Sequence, residues 1–66
     1  MNVTLNGEPR DVPPGTTVAQ LVGMLTDQPT GVAAALNGEV LPRRAWAGTP
    51  VRDRDQVEVV TAVQGG

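Results

Sequence analysis

The tetrapeptide Leu-Asn-Gly-Glu occurs twice, as Leu5-Asn6-Gly7-Glu8 and as Leu36-Asn37-Gly38-Glu39. Asn-Gly is favoured in two-residue type I′ hairpins, where both central residues need positive φ. Around the first copy, Met1, Val3 and Leu5 alternate with Asn2, Thr4 and Asn6, the period of a half-buried strand. Glu8 to Val12 is the return strand. Pro9 lacks a backbone N–H, which places this strand at a sheet edge, and Pro13-Pro14-Gly15 ends it. Around the second copy, Val32 to Leu36 and Glu39 to Leu41 make another hairpin, closed by Pro42. Alanines at 33, 34 and 35 suit a strand over which something packs closely. The repeat is read as one turn solution used twice, not as a duplicated domain.

A helix is predicted between the hairpins. Thr17 and Gln20 have the spacing of a capping box, and Val18, Leu21, Val22 and Leu25 form one apolar stripe. Gly23 costs this helix about 1 kcal/mol relative to Ala. It either brings the helix close to a sheet or faces solvent. Residues 26 to 31 read as loop. Arg43 to Gly48 suits one helical turn that folds Trp46 onto the body, and Asp53-Arg54-Asp55 reads as a solvated turn. Gln56 to Val63 is the longest strand candidate. Val57, Val59, Thr61 and Val63 share one side. Gln56, Glu58, Val60, Ala62 and Gln64 share the other. One amphipathic helix over one sheet is the simplest two-layer solution, and its class is α+β.

Composition narrows the function. A chain of 66 residues reads as a single domain, 1–66, whose core must come from Val, Leu, Ala, Met and Trp46 because Phe and Tyr are absent. His, Cys, Lys and Ser are absent too, which removes serine and cysteine triads, Schiff-base lysines and thiolate or imidazole metal sites. No bound cofactor is expected. A net charge of −2, with Arg43-Arg44 the longest basic run, argues against nucleic acid. No apolar run is long enough to cross a membrane, and no signal peptide precedes the first strand. The expectation is a cytoplasmic carrier or binding module, monomeric when free, and not an enzyme.

The last residues, Ala62-Val63-Gln64-Gly65-Gly66, carry the strongest functional signal. Glycine lets the backbone pass through spaces that side chains would block. A flexible tail 64–66 reaches roughly 10 Å beyond the strand, at ~3.3–3.6 Å per residue. This suits a protein whose working group is the α-carboxylate of Gly66. A frayed end is the plainer reading of the same residues.

The order of elements and the Gly-Gly ending resemble the ubiquitin-like β-grasp fold, with a mixed sheet of about four or five strands and one main helix on one face. Residues Leu36-Asn37-Gly38-Glu39-Val40-Leu41-Pro42-Arg43-Arg44-Ala45-Trp46 and Val57 to Gly66 resemble the sulfur carriers of thiamine biosynthesis, the ThiS family. Arg54 departs from the family pattern, which often has Gly between the two aspartates. The resemblance implies that an E1-like adenylating enzyme consumes ATP to convert the Gly66 carboxylate to an acyl-adenylate. Sulfur from a persulfide, such as that of a cysteine desulfurase, then displaces AMP. The thiocarboxylate so formed on Gly66 donates its sulfur to thiazole synthase in building the thiazole moiety.

The tail is too small to secure specificity alone, so a docking surface on the body is expected. Its candidate residues are Val60, Ala62, Val63, Gln64 and Gly65, with Arg44 at the rim. Other functions fit the same residues. They are a sulfur carrier for another pathway (molybdopterin, cysteine or another thiolated metabolite), a ubiquitin-like protein modifier, and an interaction domain with an incidental Gly-Gly end.

Overall fold

The structure is a computed structural model, and it describes residues 1–27 and 31–61. Strands β1 (Asn2–Leu5) and β2 (Glu8–Asp11) form the first hairpin, followed by helix α1 (Val18–Leu25). Strands β3 (Val32–Leu36) and β4 (Glu39–Leu41) form the second hairpin. A 3₁₀ segment, Arg43–Gly48, leads on toward β5 (Gln56–Thr61). The five strands make one mixed sheet in the order β2-β1-β5-β3-β4. β5 runs parallel to β1 and antiparallel to β3 in its centre. With α1 across one face, this is the ubiquitin-like β-grasp fold.

Both Asn-Gly turns behave as their sequence requires. Asn6 and Gly7 have φ of 52° and 81°, and Asn37 and Gly38 have 51° and 87°. β2 is an edge strand, where the missing N–H of Pro9 costs no ladder bond on its outer side. Arg54 has φ of 73° in the turn before β5, a left-handed conformation that favours glycine. Its N–H is held at 2.6 Å by the carbonyl of Asn2. The turn demands the same backbone that the family's glycine would supply. Asp53 and Asp55 are also working parts of the turn. Asp53 accepts from the N–H of Asn2, and Asp55 accepts from the N–H of Arg52 and from Asn37 Nδ2.

The capping box of α1 is formed in both directions between Thr17 and Gln20. Val18, Leu21 and Val22 enter the core with Val3, Leu5, Val57, Val59 and Ala34, each fully buried Val or Leu contributing about 1.5–3 kcal/mol. The expected apolar stripe is corrected at its end. Leu25 is 41% exposed, because it is the last residue of a short helix, and Ala19 packs against the core instead. Gly23 faces open space, since a Cβ built there would meet nothing within 4 Å. Gly23→Ala is therefore expected to stabilise the fold by up to about 1 kcal/mol, read as a rise in Tm. An unchanged or lower melting temperature would show that the site needs glycine after all.

Trp46 settles as a core residue. It is 4% exposed, and its Nε1–H donates to the carbonyl of Leu41 at 2.9 Å. The 3₁₀ segment that carries it is six residues long, more than the single turn expected, and packs against α1. β5 is observed as Gln56–Thr61. The expected continuation through Val63 lies outside the described residues, as does most of the expected loop before Gly31.

Candidate functional site

Pleating sends alternate residues of β5 to opposite faces, and the two faces have different surroundings. Val57 and Val59 lie in the core beneath α1. Thr61, next on that side, is exposed. Val60 points away from the core and is 60% exposed. The strand register supplies its neighbours. Ala33 lies opposite Val60, Ala35 opposite Glu58, and Ala35 also opposite Val40 on the other side. Directly opposed residues share a face, so Ala33, Ala35, Val40, Glu58 and Val60 sit together on the open side of the sheet.

This group makes a shallow depression of about 130 Å³ with Ala33, Ala34 and Ala35 lining it beside Val40, Glu58 and Val60. The alanines keep its floor low, and Val40, at 78% exposure, and Val60 stand above it. Two exposed valines joined by alanines, with a carboxylate alongside, make an apolar surface next to the end of β5. The sequence reading named Val60 but not Ala33, Ala35 or Val40. The signal was present in the alanine run and in the short return strand, but their shared face depends on the pairing of β3 with both neighbours.

The other proposed residues fall elsewhere. Arg44 is exposed on the 3₁₀ segment, which packs against α1, and it does not line the depression beside Val60. The ion pairs among the described residues join Arg10 to Glu8 and the N-terminus to Asp11, and neither involves Arg44. Ala62, Val63, Gln64, Gly65 and Gly66 lie outside the described residues. A second apolar depression, of about 220 Å³, lies between α1 and the 3₁₀ segment, lined by Ala19, Val22, Gly23, Arg43, Trp46 and Ala47. It is on the covered side of the sheet and takes nothing from β5. Among the described residues no group of three or more acids, histidines or cysteines is placed to hold a metal ion. No described helix is long and apolar enough to cross a membrane.

The side-chain chemistry of this surface can bind but offers no nucleophile paired with a base. Its distinctive property is its position on the strand that precedes Gln64-Gly65-Gly66.

Comparison with known proteins gives the same result along the whole chain. The ThiS family model matches residues 3–66. The chain is 32% identical over 66 residues to the sulfur carrier protein ThiS of Escherichia coli, covering all of both proteins. It is 35% identical over 66 residues to part of a thiazole synthase of Paramagnetospirillum magneticum, covering all of this chain and 20% of that protein. The crystal structure of the thiamine biosynthesis protein ThiS from Geobacter metallireducens matches with a TM-score of 0.83 at 40% identity, with both chains fully covered. A full-length family match, relatives at this identity and the same fold lead to one conclusion: the chain belongs to the ThiS family, the small sulfur carriers of thiamine biosynthesis.

Proposed function

We propose that the working group is the α-carboxylate of Gly66, which is adenylated, converted to a thiocarboxylate and used to deliver sulfur for the thiazole moiety of thiamine. The carboxylate is ionised at neutral pH and is a poor electrophile. Attack of one of its oxygens on the α-phosphate of ATP forms an acyl-adenylate and releases pyrophosphate. A persulfide sulfur then attacks the Gly66 carbonyl carbon, and AMP leaves. Reductive cleavage of the remaining sulfur–sulfur bond by a thiol leaves the thiocarboxylate. The protein acts as a co-substrate and not as an enzyme, because its side chains supply no acid, base or metal to these steps. ATP is consumed by an E1-like adenylating partner, and the sulfur comes from a donor such as a cysteine desulfurase persulfide.

The observation that carries this reading is the match of the entire chain to a sulfur carrier, Gly-Gly included. The match of the same 66 residues to one-fifth of a thiazole synthase supports that enzyme as the acceptor. In that polypeptide a carrier-like segment and a synthase share one chain, which raises the effective concentration of one for the other. A cytoplasmic, monomeric carrier with a single domain fits this role. The direct test is carrier-dependent exchange of pyrophosphate into ATP by the E1-like enzyme. Exchange that does not depend on this chain would contradict the proposal.

The docking surface follows from the geometry of the open face. Both partners must bring the same Gly66 carbonyl to a reactive centre, so both are proposed to hold the body by Ala33, Ala35, Val40 and Val60, with Ala62, Val63, Gln64 and Gly65 following into the partner. Arg44, exposed on the 3₁₀ segment, is proposed to contact a partner that extends to the rim of this face. Binding to one partner then excludes the other. Val60→Asp places a charge on this surface without touching the core. It is expected to weaken binding to each partner by roughly tenfold or more, ~1.4 kcal/mol. Stability should stay within about 0.5 kcal/mol. Ala62→Asp is expected to do the same. Titration calorimetry with each partner measures this, and wild-type affinity for both, or a ternary complex, would contradict a shared face.

A further inference from the structure

We infer that Asn6 is a positioning residue for the C-terminal tail, a role that rests on the carrier function proposed above. The parallel pairing of β1 with β5 is short, joining Thr4 to Gln56 and Leu5 to Val57. Its last backbone bond runs from the N–H of Asn6 to the carbonyl of Val57 at 2.9 Å. There β1 turns away into its hairpin, and β5 continues to Thr61 with no further strand on this side among the described residues. The Asn6 side chain takes the place of the missing strand. Its Oδ1 accepts the N–H of Val59 at 2.7 Å, and its Nδ2 donates to the carbonyl of Val59 at 3.1 Å. Both bonds are partly buried and span 53 residues of chain.

This explains a choice that turn chemistry leaves open. A type I′ turn accepts Asn, Asp or Gly at its first central position. Of these, only asparagine has both a donor and an acceptor, and a backbone residue presents one of each. Asn6 therefore extends the support of β5 from Val57 to Val59, seven residues before Gly66. Loss of that support would leave Val59 held on one side only, by its pairing with Ala34 of β3, and let the end of β5 tilt more freely. A less firmly aimed strand end brings the carboxylate into line less often once the body is docked, which lowers the rate of attack on ATP without altering docking.

The second copy of the turn provides an internal control. Asn37 grips the other end of β5. Its Oδ1 accepts from the N–H of Gln56 at 2.9 Å and its Nδ2 donates to Asp55 at 3.0 Å. Asn37→Gly and Asn6→Gly both keep a residue suited to positive φ, and both remove one side-chain brace from the same strand. Of the two, Asn6 braces the position nearer the tail.

The experiment compares the two glycine variants with the wild type in two assays. In pyrophosphate exchange with the E1-like enzyme, Asn6→Gly is expected to lower kcat about tenfold with KM within about twofold, while Asn37→Gly leaves kcat near the wild-type value. Asn6→Asp keeps an acceptor for the Val59 N–H and loses the donor, so its kcat should fall between. In amide hydrogen exchange on the free protein, the Val59 amide of Asn6→Gly should exchange about five- to tenfold faster than that of Asn37→Gly. An unchanged kcat in Asn6→Gly, or an equal fall in Asn37→Gly, would make Asn6 a turn residue only. If the wild-type chain is not adenylated at all, the carrier function itself fails. Hydrogen exchange then decides the brace alone, and equal Val59 protection in wild type and Asn6→Gly overturns it.

Discussion

A chain lacking Gly66 is expected to fold like the wild type and to be inactive as a carrier. Among the described residues the buried core runs from Val3 to Val59, and a chain lacking Gly66 is expected to keep it. Its thermal melt should match the wild type within about 0.5 kcal/mol. The effect on chemistry is large because truncation withdraws the carboxylate by one residue, ~3.3–3.6 Å. A displacement of about 1 Å can cost 10²-fold when reacting atoms must be held close and aligned. Pyrophosphate exchange is therefore expected to fall by at least about 10²-fold. Normal exchange by the truncated chain would show that the reacting group is not the Gly66 carboxylate. Gly65→Val should resemble this variant, since a β-branched side chain both stiffens and widens the tail.

The second large effect is on stability. Trp46 is the chain's single aromatic residue, and it is almost wholly buried. Trp46→Ala leaves a cavity and an unpaired Leu41 carbonyl, a loss of about 3–5 kcal/mol. At ~0.05–0.15 kcal/mol per residue, a domain of this size has roughly 3–10 kcal/mol in total. The variant should therefore melt at least about 12 °C below the wild type, at ~4–8 °C per kcal/mol for a domain of this size, followed by far-ultraviolet ellipticity. Trp46→Phe keeps much of the volume but not the N–H, and should fall between. A melt of Trp46→Ala close to that of the wild type would mean that Trp46 does not support the core.

Much of this architecture was legible locally. Asn-Gly turns, the Thr17–Gln20 box, the edge position forced by Pro9 and the burial of Trp46 each depend on a few neighbouring residues, and each appears where the sequence placed it. The strand order was not legible in the same way. β5 enters between β1 and β3, and the parallel pair β1–β5 joins the two ends of the chain. Periodicity reports that a strand has an apolar side but not which strand lies beside it. The same gap hid the proposed docking face. Val60 was visible on its own strand, whereas Ala33, Ala35 and Val40 joined it only through the register. It also left Arg44, on the 3₁₀ segment, grouped with Val60, although Arg44 does not line the depression beside it. Asn6 shows the limit most clearly. Its turn role was readable from Asn-Gly, but its bonds to Val59 required the closed sheet.

The proposal for the tail rests on chemistry and not on packing. A Gly-Gly ending and an inventory without His, Cys, Lys or Ser point to the terminal carboxylate as the proposed working group, and the family match runs through to residue 66. The role proposed for the body is to present that group, by an open sheet face for docking and a braced final strand for aim.

The most direct measurement is the intact mass of the protein after incubation with its E1-like enzyme, ATP and a persulfide donor. The account predicts a mass increase equal to one oxygen replaced by one sulfur, confined to Gly66 and reversed when thiazole synthase and its sugar-phosphate-derived substrate are added. An unchanged mass in the presence of active adenylating enzyme, or conjugates joined through Gly66 to lysines of other proteins, would contradict it.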